Sequence, residues 1–272
     1  MAKIIAIANR KGGVGKTTTA ICLAHFLGRN NRKVLLIDLD PQNALAVALL
    51  PPGHGAEYGV VEIIRGEANT VDAVCGTRLS NVGLLPYGGR KSPSSEHEAL
   101  FTMPDKRAVF TRSVSELSKD YHYILIDSPP GSSAIVRYAL SLAQSVIIPL
   151  QCQPLALRVM PRIINDVIQL IQTANPSLTI EGVLLTMYEP WNPNSESVAD
   201  QVFSSFPREV TFTDVIRKNP VFERIFDCEN NSFLEEGLAD ELSDYEGIAQ
   251  AIIAKEKEEA SRPPESAPPD SR

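Results

Sequence analysis

The run Asn9-Arg10-Lys11-Gly12-Gly13-Val14-Gly15-Lys16-Thr17-Thr18 carries the residue types that bind a polyphosphate. Glycines let the backbone curl until several N–H groups point inward, and a helix behind them aims its positive end at the same place. A nucleoside triphosphate is the natural occupant. In that geometry Lys16 reaches the β- and γ-phosphate oxygens as a point charge, and the Thr17 hydroxyl ligates Mg²⁺. Gly12, Gly13, Val14 and Gly15 supply the backbone wall, and Thr18 sits one step further into the cradle.

Two later segments place acids beside such a cradle. Leu35-Leu36-Ile37-Asp38-Leu39-Asp40-Pro41-Gln42 ends an apolar run with two carboxylates that share one side by period-2 alternation. Parallel strands bind ligands at their carboxyl ends, and a carboxylate there can orient a water or accept its proton. Asp40 is assigned that role; the plainer alternative is that both aspartates cap a strand end. Tyr123-Ile124-Leu125-Ile126-Asp127-Ser128-Pro129-Pro130-Gly131 repeats the pattern, and Asp127 is expected to hold Mg²⁺ through water.

The elements that must position these residues follow from periodicity. Ile4 to Ala8, a helix from Lys16 to Leu27, and Val34 to Leu39 form a β-α-β unit. The alternation resumes with a helix at Arg107 to Ser118, a strand at Tyr123 to Ile126, a helix at Ala134 to Leu142 and a strand at Val146 to Leu150. A long helix at Leu155 to Thr173 and the run Val183 to Met187 complete it. The expected fold is α/β, a mostly parallel twisted sheet with helices on both faces. The Gly-, Pro- and Ser-rich stretches Pro51 to Gly55 and Tyr87 to Pro93 read as loops flanking the site. One domain spans residues 1–254, and the proline-rich, nearly apolar-free segment 255–272 reads as a disordered polar tail.

Composition narrows the function classes. The chain has 272 residues, 43% hydrophobic and 22% charged, as an ordinary globular protein has. Its net charge of -7 argues against a protein coated with positive charge, so any nucleic-acid contact must use a local patch. Cys22, Cys75, Cys152 and Cys228 are scattered without a CxxC pair, and no signal peptide precedes the first strand, which fits a reducing cytoplasm. No apolar run is long enough to span a membrane.

The first motif departs from the general phosphate-loop pattern, because Arg10 stands where a glycine is usual and Lys11 follows it. Lys11-Gly12-Gly13-Val14-Gly15-Lys16-Thr17 resembles the deviant Walker A motif of the ParA/MinD family of P-loop ATPases. The resemblance implies an ATP-sandwiched homodimer in which Lys11 crosses the interface to the partner's nucleotide. Its charge there would offset negative charge developing in phosphoryl transfer and make dimerisation depend on ATP. Asp38 and Asp40 are similar to the family's switch I, where the second aspartate positions the attacking water and the first supports the phosphate and metal region. The Asp127 segment is similar to Walker B followed by switch II.

The resemblance extends further in weaker form. Gly182-Val183-Leu184-Leu185-Thr186-Met187-Tyr188-Glu189 resembles the family's adenine-side segment, making Thr186 and Met187 candidate base contacts; core filler is the other reading of Met187. Val215 to Pro220 resembles the family's Pro-Arg-Asn segment, with Arg217 in place of the proline, and Trp191 stands where relatives often carry a basic or small residue. Arg158 and Arg162, at i and i+4 on one helix face, read either as a solvated face or, doubled in a dimer with Arg217, Lys218 and Arg224, as a candidate basic patch for DNA. The C-terminal region lacks a basic amphipathic helix with an aromatic wedge, so membrane attachment is not expected. The reading is a ParA/Soj-type ATPase, nucleoid-associated in the cytoplasm. Its ATP form binds DNA non-specifically, and a ParB-like or cargo-adaptor protein stimulates hydrolysis as it positions cargo. The alternatives are a MinD-like ATPase of the membrane surface and a nucleotide switch that binds only a protein.

Overall fold

A computed structural model describes residues 1–51, 53–89, 98–131, 133–173, 175–226 and 242–261. Its centre is β1 (Lys3–Ile7), which pairs in parallel with β5 (Tyr123–Asp127) on one side and β6 (Ser145–Gln151) on the other. Beyond β5 lie β2 (Val34–Asp38) and β4 (Val82–Leu85), and beyond β6 lies β7 (Thr179–Thr186), all parallel. The two-residue β3 (Cys75–Gly76) adds an antiparallel edge to β4, giving the order β3-β4-β2-β5-β1-β6-β7. Strands buried on both faces must be apolar throughout, and Val34–Asp38 and Tyr123–Asp127 are buried at every position.

Alternation along each strand divides the core in two. Ile5, Ile7, Leu36 and Leu125 pack beneath α1 (Lys16–Arg29), α2 (Ala44–Leu49) and α9 (Ser243–Ser261). On the opposite face Leu35, Ile37, Ile124 and Ile126 meet α3 (Val60–Arg65), α5 (Pro104–Leu117) and α6 (Ala134–Leu142). There Ala6, Val146 and Ile148 meet α6, α7 (Pro154–Thr173) and α8 (Pro193–Ser205). The short α4 (Thr70–Ala73) starts on Asn69, whose side chain accepts from the Asp72 amide. Each large apolar side chain so buried contributes about 1.5–3 kcal/mol, which fixes α1 firmly behind the phosphate-binding loop.

The expected strands and the helices through α7 are present with ends shifted by a few residues. Periodicity did not locate β3, β4, α2–α4, α8 or α9, which are short, weakly patterned or highly charged. The tail boundary at residue 255 is corrected: α9 continues to Ser261. Lys255 Nζ lies 3.6 Å from Glu181 Oε1 and donates to Glu181 O at 3.3 Å, while Glu256 accepts from the Tyr123 hydroxyl and lies 3.7 Å from an Arg32 nitrogen. A run that reads as solvated thus has partners under the sheet, and its Lys and Glu are good helix formers. Residues 262–272, 52 and 90–93 lie outside the described residues, as does Cys228.

Candidate functional site

The phosphate-binding loop leaves the carboxyl end of β1, and Gly13 (φ 69°) and Gly15 (φ 88°) occupy the left-handed region that turns their amides inward. Its backbone is tied on three sides. Asn9 Nδ2 donates to Pro149 O at 2.6 Å while Asn9 Oδ1 accepts from the Lys11 amide at 2.9 Å. The Thr186 hydroxyl donates to Val14 O at 3.0 Å, and Gly131 N donates to Arg10 O at 2.8 Å. The cradle is therefore braced by β6, β7 and the loop after β5 before any ligand enters.

Lys16 is 7% exposed, and its Nζ donates to Lys11 O at 3.4 Å. Burial lowers its pKa, while the charges of Asp127 and Asp40 act in the opposite direction. Asp127 is fully buried, and neither carboxylate oxygen has a hydrogen-bond partner in good geometry among the described residues. Burial pushes its pKa up to about 7, with Asp40 adding to the rise; nearby Thr17, Lys16 and the Ser128 amide draw it back. A buried carboxylate is costly unless paired, so this one is built for a cation. Thr17 beside it and glycine amides ahead of it fit Mg²⁺ and a polyphosphate.

Asp38 and Asp40, on one side in sequence, have different employment. Both Asp38 oxygens are engaged by backbone: Oδ1 accepts from Asp40 N at 2.9 Å and Oδ2 from Leu45 N at 3.2 Å. It is 0% exposed and faces Asp127 across the register, so burial first and Asp127 second raise its pKa well above the carboxylate range. Asp38 thus shapes the β2–α2 turn from beneath. Asp40 is half-buried, accepts only the Gln42 amide among the described residues, at 3.0 Å through Oδ1, and is near enough to act on Lys16 and Asp127.

Lys11 is half-buried, and its Nζ donates to Gln151 Oε1 at 2.8 Å, at the carboxyl end of β6. Gln151 escaped the sequence reading, although its place at a strand end beside the cradle was a usable signal. Thr186 is buried against Val14 and Gly15, which makes it a brace of the loop, and Met187 follows in the left-handed region at φ 54°. The carboxyl ends of β1, β2, β5 and β7 therefore bring together Lys11 to Thr18, Asp38, Asp40, Asp127 and Met187.

The basic residues are distributed over separate elements. Arg158 and Arg162 are exposed on α7. Arg217 forms an ion pair with Asp244 at 2.6 Å, and Lys218 one with Glu189 at 2.8 Å. Arg224 is exposed on a 3-10 turn, Pro220–Phe226, that packs near α2. Trp191 is 77% exposed ahead of α8. No helix among the described residues is long and apolar enough to cross a membrane, and no cluster of three or more potential metal-binding His, Cys, Asp or Glu residues occurs among them.

Residues 2–180 match the family described as AAA domain. The sporulation initiation inhibitor protein Soj of Bacillus subtilis is 34% identical over 219 residues, covering 80% of this chain and 85% of Soj. The chromosome partitioning protein ParA of Caulobacter vibrioides is 35% identical over 220 residues, 80% of this chain and 81% of that protein. Among solved structures, cobyrinic acid a,c-diamide synthase from Mycobacterium smegmatis with bound ADP and magnesium superposes with a TM-score of 0.77 at 27% identity, covering 98% of this chain and 100% of the synthase. With Soj and ParA matched along 80% of its length, the chain belongs to the ParA/MinD family of P-loop ATPases.

Proposed function

We propose that this ATPase binds Mg·ATP in the cradle after β1, dimerises around it, and in that form associates with DNA to position cargo until a partner protein triggers hydrolysis. The observation that carries the nucleotide part is the buried carboxylate of Asp127, without a hydrogen-bond partner among the described residues and set beside Thr17 and Lys16. Mg²⁺, when bound, neutralises phosphate charge and polarises the bond to be broken. Thr17 and Asp127, the latter through water, would hold it. Lys16 and the amides of Gly12 to Thr18 bind and orient the phosphates, and Asp40, the acid at this mouth with an oxygen uncommitted among the described residues, orients the attacking water.

Lys11 supports dimerisation. Its amine rests on Gln151 at the cradle rim and has a long, flexible stem with which to reach a second nucleotide. For DNA the supporting residues are Arg158 and Arg162, exposed on one face of α7, with Lys218, paired to Glu189, and Arg224 on other segments. Such contacts are to phosphates and release counterions, so the binding falls steeply with salt. A nucleoid location and a ParB-like or cargo-adaptor partner follow from the same reading.

The test is retardation of arbitrary duplex DNA by the Asp40→Ala protein, in which blocked hydrolysis traps the dimer. Retardation with ATP but not ADP, lost in the Arg158→Ala/Arg162→Ala variant and at raised salt, is expected. A nucleotide-dependent dimer that leaves DNA unshifted would remove the DNA-borne mechanism and favour a lipid-surface or protein-only switch.

A further inference from the structure

Two hydrogen-bonded routes leave the cradle and meet at one ion pair. The first begins at Val14 O, which accepts from the Thr186 hydroxyl at 3.0 Å. Two residues on, Tyr188 N donates to Ile216 O at 3.0 Å and Tyr188 O accepts from Lys218 N at 2.9 Å, so the backbone on both sides of Arg217 is fastened to the end of β7. The second begins at Gly15 O, which accepts from Thr19 N at 2.8 Å. The Thr19 hydroxyl shares a 3.0 Å hydrogen bond with the hydroxyl of Tyr245, a residue 1% exposed in the core between α1 and α9. Its chain neighbour Asp244 closes the ring by accepting from Arg217 three times, from N at 3.1 Å, Nε at 3.1 Å and Nη2 at 2.6 Å.

An exposed ion pair alone contributes little. This one differs in geometry, because a planar guanidinium fork and a backbone amide converge on one carboxylate and fix its direction as well as its distance. The ring also contains Met187, whose φ of 54° is one that residues other than glycine adopt only where the surroundings hold them there. Met187 lies between Thr186, on the loop, and Tyr188, on the Arg217 segment.

We propose that the Arg217–Asp244 clamp is a positioning element of the nucleotide site: it fixes the end of β7, which braces the cradle at Val14, relative to the first turn of α1, and so holds the phosphate cradle in the shape that binds nucleotide. The inference rests on the cradle's nucleotide reading and moves the Arg217 guanidinium from the DNA patch to the architecture of that pocket. Arg217, Asp244 and Tyr245 act on nucleotide without touching it.

The test is calorimetric titration of the full chain with Mg·ADP, without DNA, for Arg217→Ala, Asp244→Asn, their double variant and Tyr245→Phe. Each single variant of the clamp is expected to weaken binding by about three- to tenfold, and the double no more than the worse single, since both break one ring. The KM for ATP should rise by a similar factor with kcat within about twofold, and Arg217→Lys should recover part of the loss. Tyr245→Phe removes one hydroxyl, keeps the ring packed, and should weaken binding in the same direction. Unchanged Mg·ADP affinity in folded Asp244→Asn or Tyr245→Phe protein, or losses that add in the double variant, would overturn the clamp. Absence of Mg·ADP binding by the unaltered chain would instead overturn the cradle reading itself.

Discussion

Two buried carboxylates on the same sheet show how differently its two ends are built. Glu181, near the start of β7, is 4% exposed; it accepts from the Ser145 hydroxyl and lies 3.0 Å from Lys3 Nζ and 3.6 Å from Lys255 Nζ. Asp127, at the carboxyl end of β5 and so at the opposite end of the sheet, is buried as deeply and has no hydrogen-bond partner in good geometry among the described residues. Desolvating a carboxylate costs several kcal/mol in either place. At Glu181 that cost is offset inside the chain by partners from β1, β6 and α9, which staples the C-terminal helix under the sheet. At Asp127 it is left standing, as it must be in a site whose counter-charge arrives with the ligand. Pairing, not burial, separates a structural acid from a functional one.

The largest expected effect breaks the functional end. Asp127→Asn should lower ATP turnover by about a thousandfold at fixed Mg²⁺, since metal-borne charge stabilisation is worth several kcal/mol of barrier; a phosphate-release assay reads it. Next is the structural end: Glu181→Gln leaves Lys3 and Lys255 without their buried counter-charge and should cost about 3 kcal/mol in urea unfolding of the nucleotide-free protein, with turnover per folded molecule preserved. A loss of turnover without a loss of stability there would erase the contrast.

The third prediction has the opposite sign. In nucleotide-free protein at pH 8, Asp127→Asn should raise stability by about 2 kcal/mol, because it deletes a buried charge whose desolvation outweighs what Thr17, Lys16 and the Ser128 amide return. The same physics sets a pH dependence. Burial, with Asp40 adding, lifts Asp127 to about 7, so the folded chain holds this proton more tightly than the unfolded chain does. Nucleotide-free stability from this group is therefore greatest on the acid side and declines as pH rises from the ordinary carboxylate range through about 7. Thermal melting across that window should show the decline in the unaltered chain and a flatter profile in Asp127→Asn. The smallest effect is expected from Thr186→Val, which removes one hydroxyl from the loop brace at Val14 and should cost about 1 kcal/mol in thermal unfolding.

Much of this was legible from residue order. Short apolar runs alternating with helical periods dictated a parallel sheet, because such strands must be buried on both faces. Glycines before Lys16-Thr17 dictated a phosphate cradle, because the backbone can turn its amides inward only there. Both features are local, and local chemistry survives in sequence. What the tertiary structure alone decided concerns partners far apart in the chain. Asp38 and Asp40 look equivalent by spacing, yet Asp38 is spent on backbone amides and Asp40 is left at the mouth. Arg217 looks like a surface cation until Asp244 is placed beside it. Lys255 and Glu256 look like solvated tail until Glu181, Tyr123 and Arg32 are found beside them. In each case the deciding quantity is whether a charge meets a counter-charge or a donor across the fold, and no one-dimensional pattern carries that information.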